Sequence, residues 1–546
     1  MKFTIALGWA IAFSTPVLAV QTDQQAVDQV FAAYQKAGSP GCSLGVIRDG
    51  ALVYSKGYGL ASLELGVPLS PSSVFYLASV SKQFTAASIV LAAEQGFLSL
   101  DDDIHKYVPE LPDYGQPVTL RQMLHHTSGF RDYLDLLGLS GRNILDVHTT
   151  PEFMDLIVRQ KALNFSPGTE SRYSNTNYFL LAQVIARATH KPLSVFAEEN
   201  IFRPLGMSHT RFYDDKNVVV PGRVPAYESG KDGSFKLSWS TNFDGVGDGG
   251  LMSSVDDLLL WDRNFYENRL GKGTLLNEMQ TRVILSNGKQ IDYALGLQVG
   301  SYLGLPTVEH GGALFGYRTE ILRFPEQRFS VICLCNLASA NAKALSLGVA
   351  DVYLKWTLPP MHEAEKTLGK TPGKSAGSDL HAFAGKYENP HDHSAFEFSV
   401  ANNALQVLGI SLKPVAHNRF VTPFGPTLAF EIVNSKLTVV AKDGDNVFFE
   451  GTRIEELHLD EPALKAYAGE YKSGELEATY NLVVEDGSLM LHSGWNPPVK
   501  LEPLVPDEFT MGQLGTAVFH RDAAGRVSGL SVYSGRIRDV TFERTH

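Results

Sequence analysis

The chain has 546 residues, of which 44% are hydrophobic and 19% charged, and its formal net charge is −12. A chain of this length and composition is expected to fold into two or three globular domains with substantial cores. The acidic balance argues against nucleic acid and against an anionic membrane surface as partners.

The first nineteen residues have the pattern of a secretory signal peptide. Lys2 provides a positive start, an apolar run extends from Ile5 to Phe13, and Val17-Leu18-Ala19 supplies a cleavage site. The apolar run is too short to span a bilayer. We therefore expect residues 1–19 to be removed on export, which predicts a periplasmic or secreted protein with no membrane span in its mature chain.

The candidate nucleophile follows a predicted β-hairpin over residues 42–58. Ser79-Val80-Ser81-Lys82 precedes an Ala-rich, apolar stretch that predicts a helix ending near Gly96. Residues i and i+3 lie on the same helix face, so the Lys82 amine can reach the Ser79 hydroxyl. A serine needs such a neighbouring base to become a nucleophile, and a helix start favours developing negative charge. Ser79 and Lys82 are therefore candidate catalytic residues.

A second candidate set is Tyr173-Ser174-Asn175, which follows a Pro-Gly turn and precedes a helix predicted over residues 178–189. A phenol with a lowered pKa can relay the serine proton, and the Asn175 amide can hold Lys82 and a substrate carbonyl. The same three residues also fit a turn that caps a helix.

A third candidate set is His310-Gly311-Gly312, at the end of a strand predicted over residues 306–310. Paired glycines at a strand edge let the backbone approach a ligand closely. The N–H of Ala313 can then join the N–H of Ser79 in an oxyanion hole. A glycine bulge beside a half-buried histidine explains the same pattern.

Strand patterns at both ends of residues 24–357 flank a helical middle. This order predicts an α+β domain, in which one antiparallel sheet is built from both ends and a helical insert lies beside it. Its cysteines, Cys42, Cys333 and Cys335, all lie in apolar, strand-like runs. Since Cys333 and Cys335 share one strand face and cannot easily bond each other, we expect buried free thiols, and neither a metal site nor a cofactor.

A linker over residues 358–378, which includes a stretch rich in Gly, Lys, Ser and Pro, separates this domain from a β-rich region. The segment from Leu380 to Tyr387 recurs there as Leu464 to Tyr471. The repeat predicts two tandem modules, at 379–457 and 462–546, with the strand spacing of small antiparallel β-barrels.

Together, Ser79-x-x-Lys82, Tyr173-x-Asn175 and His310-Gly311-Gly312 resemble the motifs of the serine β-lactamase and penicillin-binding-protein superfamily. The branch that the chain resembles most contains class C β-lactamases, esterases of that fold and D-aminopeptidases. Leu124 to Phe130 is similar to the family's segment beside the cleft, and Gly249 to Ser254 is similar to its glycine-rich stretch before a helix.

The resemblance implies a role for each candidate. Ser79 would form an acyl-enzyme, and Lys82 and Tyr173 would share the roles of general base and general acid in an order that the sequence leaves open. Substrate and oxyanion would be held by a second group: Asn175, His310, Gly312 and Ala313.

One motif departs from the lactamases and transpeptidases of the superfamily, which carry Lys-Thr-Gly where this chain has His310-Gly311-Gly312. A histidine with a pKa of about 6.5 is mostly neutral at pH 7 and suits a substrate carboxylate less well than a lysine. His-x-Gly instead resembles the D-aminopeptidases and esterases.

The succession of a catalytic domain and two lipocalin-like barrels also resembles the D-aminopeptidases. In that architecture a loop of the last barrel reaches the active-site mouth and selects a free amino terminus. Gly512-Gln513-Leu514-Gly515 is the candidate for this loop, although it also fits an ordinary hairpin turn.

The sequence therefore predicts an exported serine hydrolase that cleaves amide or ester bonds, most similar to D-aminopeptidases or D-amino-acid amidases. The alternatives are a carboxylesterase or β-lactamase of the same fold, and a non-catalytic or single-turnover sensor of peptidoglycan or penicillin. The expected partner is a small molecule or short peptide, for which peptidoglycan is one source. The sequence leaves the oligomeric state open.

Overall fold

The computed structural model describes residues 15–238, 242–355, 380–422, 426–443, 446–494 and 496–545. It has an α+β N-terminal domain with a six-stranded antiparallel sheet, followed by two all-β units. The predicted fold class is thereby confirmed. Most of the predicted signal peptide and all of the predicted linker lie outside the described residues.

The N-terminal domain holds the first thirteen strands of the described chain. They are β1 Cys42–Arg48, β2 Ala51–Tyr58, β3 Leu60–Ser62, β4 Val67–Pro68, β5 Phe75–Tyr76, β6 Arg211–Phe212, β7 Ala226–Ser229, β8 Phe235–Ser238, β9 Leu251–Ser253, β10 Gln298–Tyr302, β11 Leu305–Leu314, β12 Tyr317–Phe324 and β13 Phe329–Cys335. The main sheet has the order β10-β11-β12-β13-β1-β2 and is built from both ends of the domain, as predicted.

Helices fill the middle of this domain and flank its sheet. They are α1 Thr15–Val30, α2 Lys82–Glu94, α3 Leu120–Leu124, α4 Tyr133–Leu139, α5 Thr150–Val158, α6 Asn175–Thr189, α7 Leu193–Ala197, α8 Arg203–Leu205, α9 Val255–Glu267, α10 Leu275–Gln280 and α11 Ala342–Leu354. A further short helix, α12 Glu461–Lys465, precedes the last barrel.

Helix α2 is central to the domain, and eleven of its residues are buried. A 3₁₀ turn over Ala78–Ser81 leads into it, and this turn carries Ser79. The predicted helix therefore exists, but its first turn is tighter than an α-helix. Because the small and apolar side chains of α2 pack on all sides, the helix fixes both residues of the Ser79–Lys82 pair.

The cysteine prediction was wrong in one respect. Cys42 and Cys335 form a disulfide, whereas Cys333 is free and buried. Strand β1 pairs with β13 in a register that places Cys42 directly opposite Cys335. This pairing depends on the order of strands in the sheet, and so it could not be inferred from the spacing of the cysteines.

Two β-barrels follow, one nearly closed and one closed. The first is a nine-stranded sheet made of β14 Gly385–Glu388, β15 Ala395–Ala401, β16 Ala404–Val407, β17 Ile410–Ser411, β18 Lys413–Ala416, β19 Arg419–Val421, β20 Thr427–Val433, β21 Lys436–Asp443 and β22 Asn446–Arg453. The second closes over β23 Gly469–Ser473, β24 Ala478–Glu485, β25 Ser488–His492, β26 Val499–Val505, β27 Glu508–Thr510, β28 Thr516–Arg521, β29 Val527–Ser534 and β30 Ile537–Arg544.

The closed barrel packs directly on the helical region of the N-terminal domain. Arg131 and Glu475 form an ion pair of 2.5 Å across this contact, and both side chains are buried. The Tyr480 hydroxyl donates to the carbonyl of Leu139 at 2.9 Å. A buried ion pair requires an exact fit of the two surfaces, so the barrel holds a defined position beside α4. Within the described part of the chain, no helix has the length and apolar content needed to cross a bilayer.

Candidate active site

The Ser79 hydroxyl and the Lys82 amine lie 3.2 Å apart, as the predicted i, i+3 spacing requires. The amine also donates to Asn175 Oδ1 at 2.8 Å and to the backbone carbonyl of Asp248 at 2.7 Å. These three acceptors lie on the 3₁₀ turn before α2, on helix α6 and on the segment before β9. The amine is therefore fixed toward the serine oxygen by two acceptors from other parts of the fold.

Lys82 is completely buried, and this burial lowers the pKa of its amine from 10.5 to about 7. The nearby carboxylates of Asp248 and Asp132 oppose the shift, and the Arg536 guanidinium adds to it. A base is most effective when its pKa lies close to the working pH. At neutral pH a large share of Lys82 is therefore uncharged and able to accept the serine proton.

Tyr173 lies beside this pair, but its electrostatics differ from the prediction. The Lys82 Nζ atom is 4.8 Å from the centre of the Tyr173 ring. Burial raises the pKa of the Tyr173 phenol, and the neighbouring Ser79 hydroxyl opposes this shift. The expectation of a lowered pKa was wrong, because the desolvation of the phenol dominates. Tyr173 therefore stays protonated at neutral pH and is available as a hydrogen-bond donor or acid, whereas Lys82 is the better proton acceptor.

Asn175 is the first residue of α6 and connects Lys82 to a buried carboxylate. Its Oδ1 accepts from Lys82, while its Nδ2 donates to Asp132 Oδ2 at 2.8 Å. Its backbone N–H donates to the same carboxylate oxygen at 2.7 Å. With both ends of the amide engaged, Asn175 orients Lys82 toward Ser79.

The oxyanion candidates meet where β11 crosses the 3₁₀ turn. Ala78, just before the nucleophile, has a φ of 48°, a strained conformation for a non-glycine residue. The Thr319 hydroxyl donates to the Leu77 carbonyl at 2.8 Å and ties β12 to this turn. A Cβ atom on Gly312 would overlap the Leu77 carbonyl oxygen. Glycine therefore lets the backbone around Ala313 come close to that of Ser79.

The predicted strand end at His310 was wrong, since β11 continues to Leu314. Gly311 and Gly312 stay in register with Glu320 and Thr319 of β12, so the pair is part of a regular ladder. The hairpin turns only afterwards, where two successive residues adopt positive φ, at Phe315-Gly316. The glycine bulge that the sequence also allowed is not formed here.

His310 is buried and neutral. Its Nδ1 lies 2.7 Å from the Gly311 carbonyl, and its Nε2 lies 3.0 Å from the Tyr293 hydroxyl. A carbonyl can only accept, so the proton is assigned to Nδ1 and Tyr293 donates to Nε2. Burial and the Lys82 charge lower the pKa of His310 to about 3. The site therefore has no cation at the position of the lactamase lysine.

Replacement of Gly312 by alanine is expected to lower kcat/KM by at least about 100-fold, the usual loss for one oxyanion donor. The added methyl group would push β11 away from Leu77 and with it the Ala313 N–H. Gly300→Ala on β10 is the matched control, because a Cβ there would meet only Thr307 Oγ1 at 3.6 Å. Equal activity of the two variants in steady-state assays would contradict the oxyanion assignment.

The hairpin that reaches the site from the closed barrel is not the predicted one. Gly512–Leu514 forms a 3₁₀ turn that lies against helix α4. Instead, the β29–β30 hairpin reaches the cleft and contributes Arg536 to its lining. The Arg536 guanidinium lies 5.0 Å from the centre of the Tyr173 ring. The docking of the barrel on the N-terminal domain decides which of the two segments reaches the cleft.

Four residues around the catalytic pair were missed by the sequence reasoning: Asp132, Asp248, Tyr293 and Arg536. Asp132 caps α4 through Oδ1, and its Oδ2 accepts from Asn175. An N-cap aspartate next to the His-Thr-Ser-Gly segment was a usable signal for the first of them. Asp248 directly precedes the Gly249–Ser254 stretch, which was a signal for it, whereas Tyr293 and Arg536 carry no local pattern.

The cleft around these residues has a volume of about 610 Å³. Ser79, Tyr173, His310 and Gly312 line one part of it, and Arg536 lines the same cleft from the barrel. The Leu124–Phe130 segment borders this region, since the His126 ring packs 4.3 Å from the Tyr173 ring. Five of the predicted site residues therefore line one cleft, which is large enough for a short peptide or amide: Ser79, Tyr173, His310, Gly312 and Ala313. Lys82 and Asn175 are buried behind Ser79 and reach it through hydrogen bonds.

Residues 27–353 match the Beta-lactamase family. The chain is 27% identical over 557 residues to a D-aminopeptidase of Brucella canis, covering 94% of this chain and 98% of that protein. It is 31% identical over 316 residues to a D-aminopeptidase of Gluconobacter oxydans, covering 57% and 59%. The fold is similar to an octameric penicillin-binding protein homologue from Pyrococcus abyssi, with a TM-score of 0.56, 22% identity and coverage of 86% and 98%.

Proposed function

Because the chain belongs to the Beta-lactamase family of serine hydrolases, we propose that it hydrolyses amide bonds of D-amino-acid amides or short peptides through an acyl-enzyme on Ser79. The observation that carries this proposal is the buried Lys82 amine, 3.2 Å from the Ser79 hydroxyl and with a pKa of about 7. Similarity to D-aminopeptidases along nearly the whole chain supports the substrate class.

In the first step the neutral Lys82 amine removes the proton of Ser79 as the serine oxygen attacks the amide carbon. The N–H groups of Ser79 and Ala313 bind the oxygen that becomes negative. Tyr173 donates its phenolic proton to the departing nitrogen and is reprotonated by Lys82. The C–N bond breaks, the amine leaves, and the acyl group remains on Ser79.

A water molecule then attacks the ester carbon in the second step. Lys82, neutral again, accepts a proton from this water, directly or through Tyr173. The Ser79 oxygen leaves and recovers its proton, which releases the carboxylic acid. Lys82 serves as the base in both halves because it is the group whose pKa lies near neutrality.

The pH dependence of kcat/KM is expected to have its acidic limb near pH 7. Protonated Lys82 cannot accept the serine proton, so kcat/KM should fall about tenfold per unit below the pKa of about 7 and level off above it. The measurement is kcat/KM between pH 5 and 9 with an uncharged substrate. A limb near pH 10, or no acidic limb, would contradict the role given to Lys82.

The substrate class is tested with D-alanyl and L-alanyl p-nitroanilides, p-nitrophenyl butyrate and nitrocefin. We expect the D-alanyl amide to be hydrolysed at least about tenfold faster than its L-enantiomer, because the chain is similar to D-aminopeptidases and a fixed cleft distinguishes the two configurations at the α-carbon next to the reacting carbonyl. Turnover restricted to the butyrate ester would favour the esterase alternative, and efficient hydrolysis of nitrocefin would favour the lactamase alternative. A stable adduct on Ser79 without turnover would favour the sensor.

We also propose that the protein is exported to the periplasm or secreted. The pattern of residues 1–19 supports this location, and so does the disulfide between Cys42 and Cys335. Structural disulfides persist mainly in oxidising compartments. Cell fractionation, together with N-terminal sequencing of the purified protein, tests the proposal.

A further inference from the structure

The tip of the β29–β30 hairpin brings one arginine from the last barrel into the cleft. Arg536 lines the same cleft as Ser79 and Tyr173. Its guanidinium stands over the Tyr173 ring at 5.0 Å, and Lys82 Nζ lies 4.8 Å from the centre of that ring. The arginine is thus separated from the catalytic amine by a single aromatic ring, close enough to contact a bound substrate.

The hairpin is anchored to the N-terminal domain on both sides of Arg536. Asn164 Nδ2 donates to the Arg536 carbonyl at 2.9 Å, and Asn164 Oδ1 accepts from the Arg538 N–H at 2.7 Å. Arg172 donates to the Gly535 carbonyl at 2.6 Å, and Arg131 donates to the Arg538 carbonyl at 3.0 Å. The backbone that carries Arg536 is therefore held in place before any ligand binds, which is how specificity groups are preorganised.

The contact between the Arg536 guanidinium and its carboxylate neighbour, Asp132, is long. Among the described residues its one ion-pair contact is with Asp132 Oδ2, at 3.5 Å, which is longer than a hydrogen bond. That oxygen already accepts from the backbone and side chain of Asn175, and Asp132 Oδ1 accepts from the N–H of Leu134. The Asp132 carboxylate is completely buried, whereas 42% of the Arg536 side chain is exposed. A ligand in the cleft therefore meets the cation, and the carboxylate lies beneath it.

The positive charge of Arg536 has a consequence for the substrate. A guanidinium offers five N–H donors in a planar fork that fits a carboxylate. It repels an ammonium group, and the neutral His310 adds no charge of its own to the cleft. Asp135, the other carboxyl near Arg536, lies close to the Ser534 hydroxyl at 3.2 Å, which ties it to the base of the hairpin.

We propose that Arg536 binds a substrate carboxylate and that the enzyme selects acidic substrates over neutral ones. This proposal rests on the function proposed above, since it concerns the same cleft. The resemblance to D-aminopeptidases implied that a loop of the last barrel selects a free amino terminus. Arg536 reverses the expected preference. The carboxylate can belong to the acyl residue, as in a D-glutamyl amide, or to the leaving group, as in a dipeptide with a free C-terminus.

The test uses substrate pairs that have nearly the same shape and differ in charge. For the acyl side these are the p-nitroanilides of D-glutamate and D-glutamine. For the leaving-group side they are D-alanyl-D-alanine and its C-terminal amide. The ratio of kcat/KM within each pair is measured for the wild type, Arg536→Gln and Arg538→Gln. Arg538 is the matched control, because it lies on the same hairpin but pairs with Glu170.

In at least one pair the wild type and Arg538→Gln should prefer the acidic member by about tenfold or more, the usual strength of a charge-assisted hydrogen bond. Arg536→Gln should bring that ratio close to one. Each ratio compares two substrates of the same enzyme. A change in the Lys82 pKa caused by the substitution therefore affects both substrates equally and leaves the ratio unchanged. Ratios near one in the wild type, or ratios unchanged in Arg536→Gln, would overturn the proposal and leave the proposed function intact.

A second readout covers the case in which none of these amides is hydrolysed, which would count against the proposed function itself. The rate at which a small neutral fluorophosphonate labels Ser79 is then measured with D-glutamate or D-glutamine present. Stronger protection by D-glutamate in the wild type and in Arg538→Gln, lost in Arg536→Gln, would support carboxylate binding. Equal protection by both ligands, or none by either, would overturn it.

Discussion

Ser79→Ala is expected to reduce kcat/KM by ~10⁴-fold or more, because no other group near Lys82 can form the acyl-enzyme. The substitution removes the hydrogen bond between the Ser79 hydroxyl and Lys82, whereas Lys82 keeps its bonds to Asn175 and Asp248. The free energy of unfolding should therefore change by only about 1 kcal/mol. Steady-state rates and thermal unfolding measure both effects.

Ser88→Ala is the matched control for this variant. Ser88 lies on the same helix, and its hydroxyl donates to the Phe84 carbonyl, away from the cleft. It should retain full activity and full labelling by a fluorophosphonate, whereas Ser79→Ala should take up no label when the intact mass is measured. Activity of Ser79→Ala within tenfold of the wild type, or a labelled peptide that lacks residue 79, would exclude the proposed nucleophile.

Lys82→Met is expected to lower kcat/KM by roughly 10³-fold, which is within the usual contribution of a general base. Methionine fills a similar volume but cannot accept the serine proton. Tyr173→Phe should cost less, roughly 10- to 100-fold, because the phenol donates a proton that water can also supply. The acidic limb of the pH profile should disappear in Lys82→Met and remain in Tyr173→Phe.

The folded state of Lys82→Met is checked by circular dichroism and by labelling of Ser79 with an activated phosphonate. Lys106→Met provides a control at an exposed lysine, which pairs with Asp102 at the surface. If Tyr173→Phe proved the more damaging variant and abolished the acidic limb, the phenol and not the amine would be the base.

The parts of the site that the sequence predicted are those with a local cause. Ser79 and Lys82 meet because three residues separate them on one helical turn, and Asn175 is placed by the start of α6. The residues that were missed meet only in the folded chain. Asp248 reaches Lys82 through a backbone carbonyl, an interaction that no side-chain pattern announces.

The errors have the same origin. The sequence offered Gly512–Gly515 as the loop at the cleft, but whether this turn or the β29–β30 hairpin reaches the cleft depends on which face of the barrel meets α4. A lowered pKa was expected for Tyr173 as a relay of the serine proton, yet burial raises this pKa. Tertiary packing decides both the docking face and the desolvation, and neither has a signature in local sequence.

The position of β1 in the main sheet has a consequence for how the protein is made. Strand β1 lies between β2 and β13, so one of its two neighbours is synthesised almost three hundred residues later. Such distant pairing makes folding slow, because a long loop must close before the contact forms. A nascent chain that has not passed Cys335 leaves the apolar strand β1 without this partner. Ribosome-bound or truncated chains should therefore need a chaperone that covers this strand until β13 arrives.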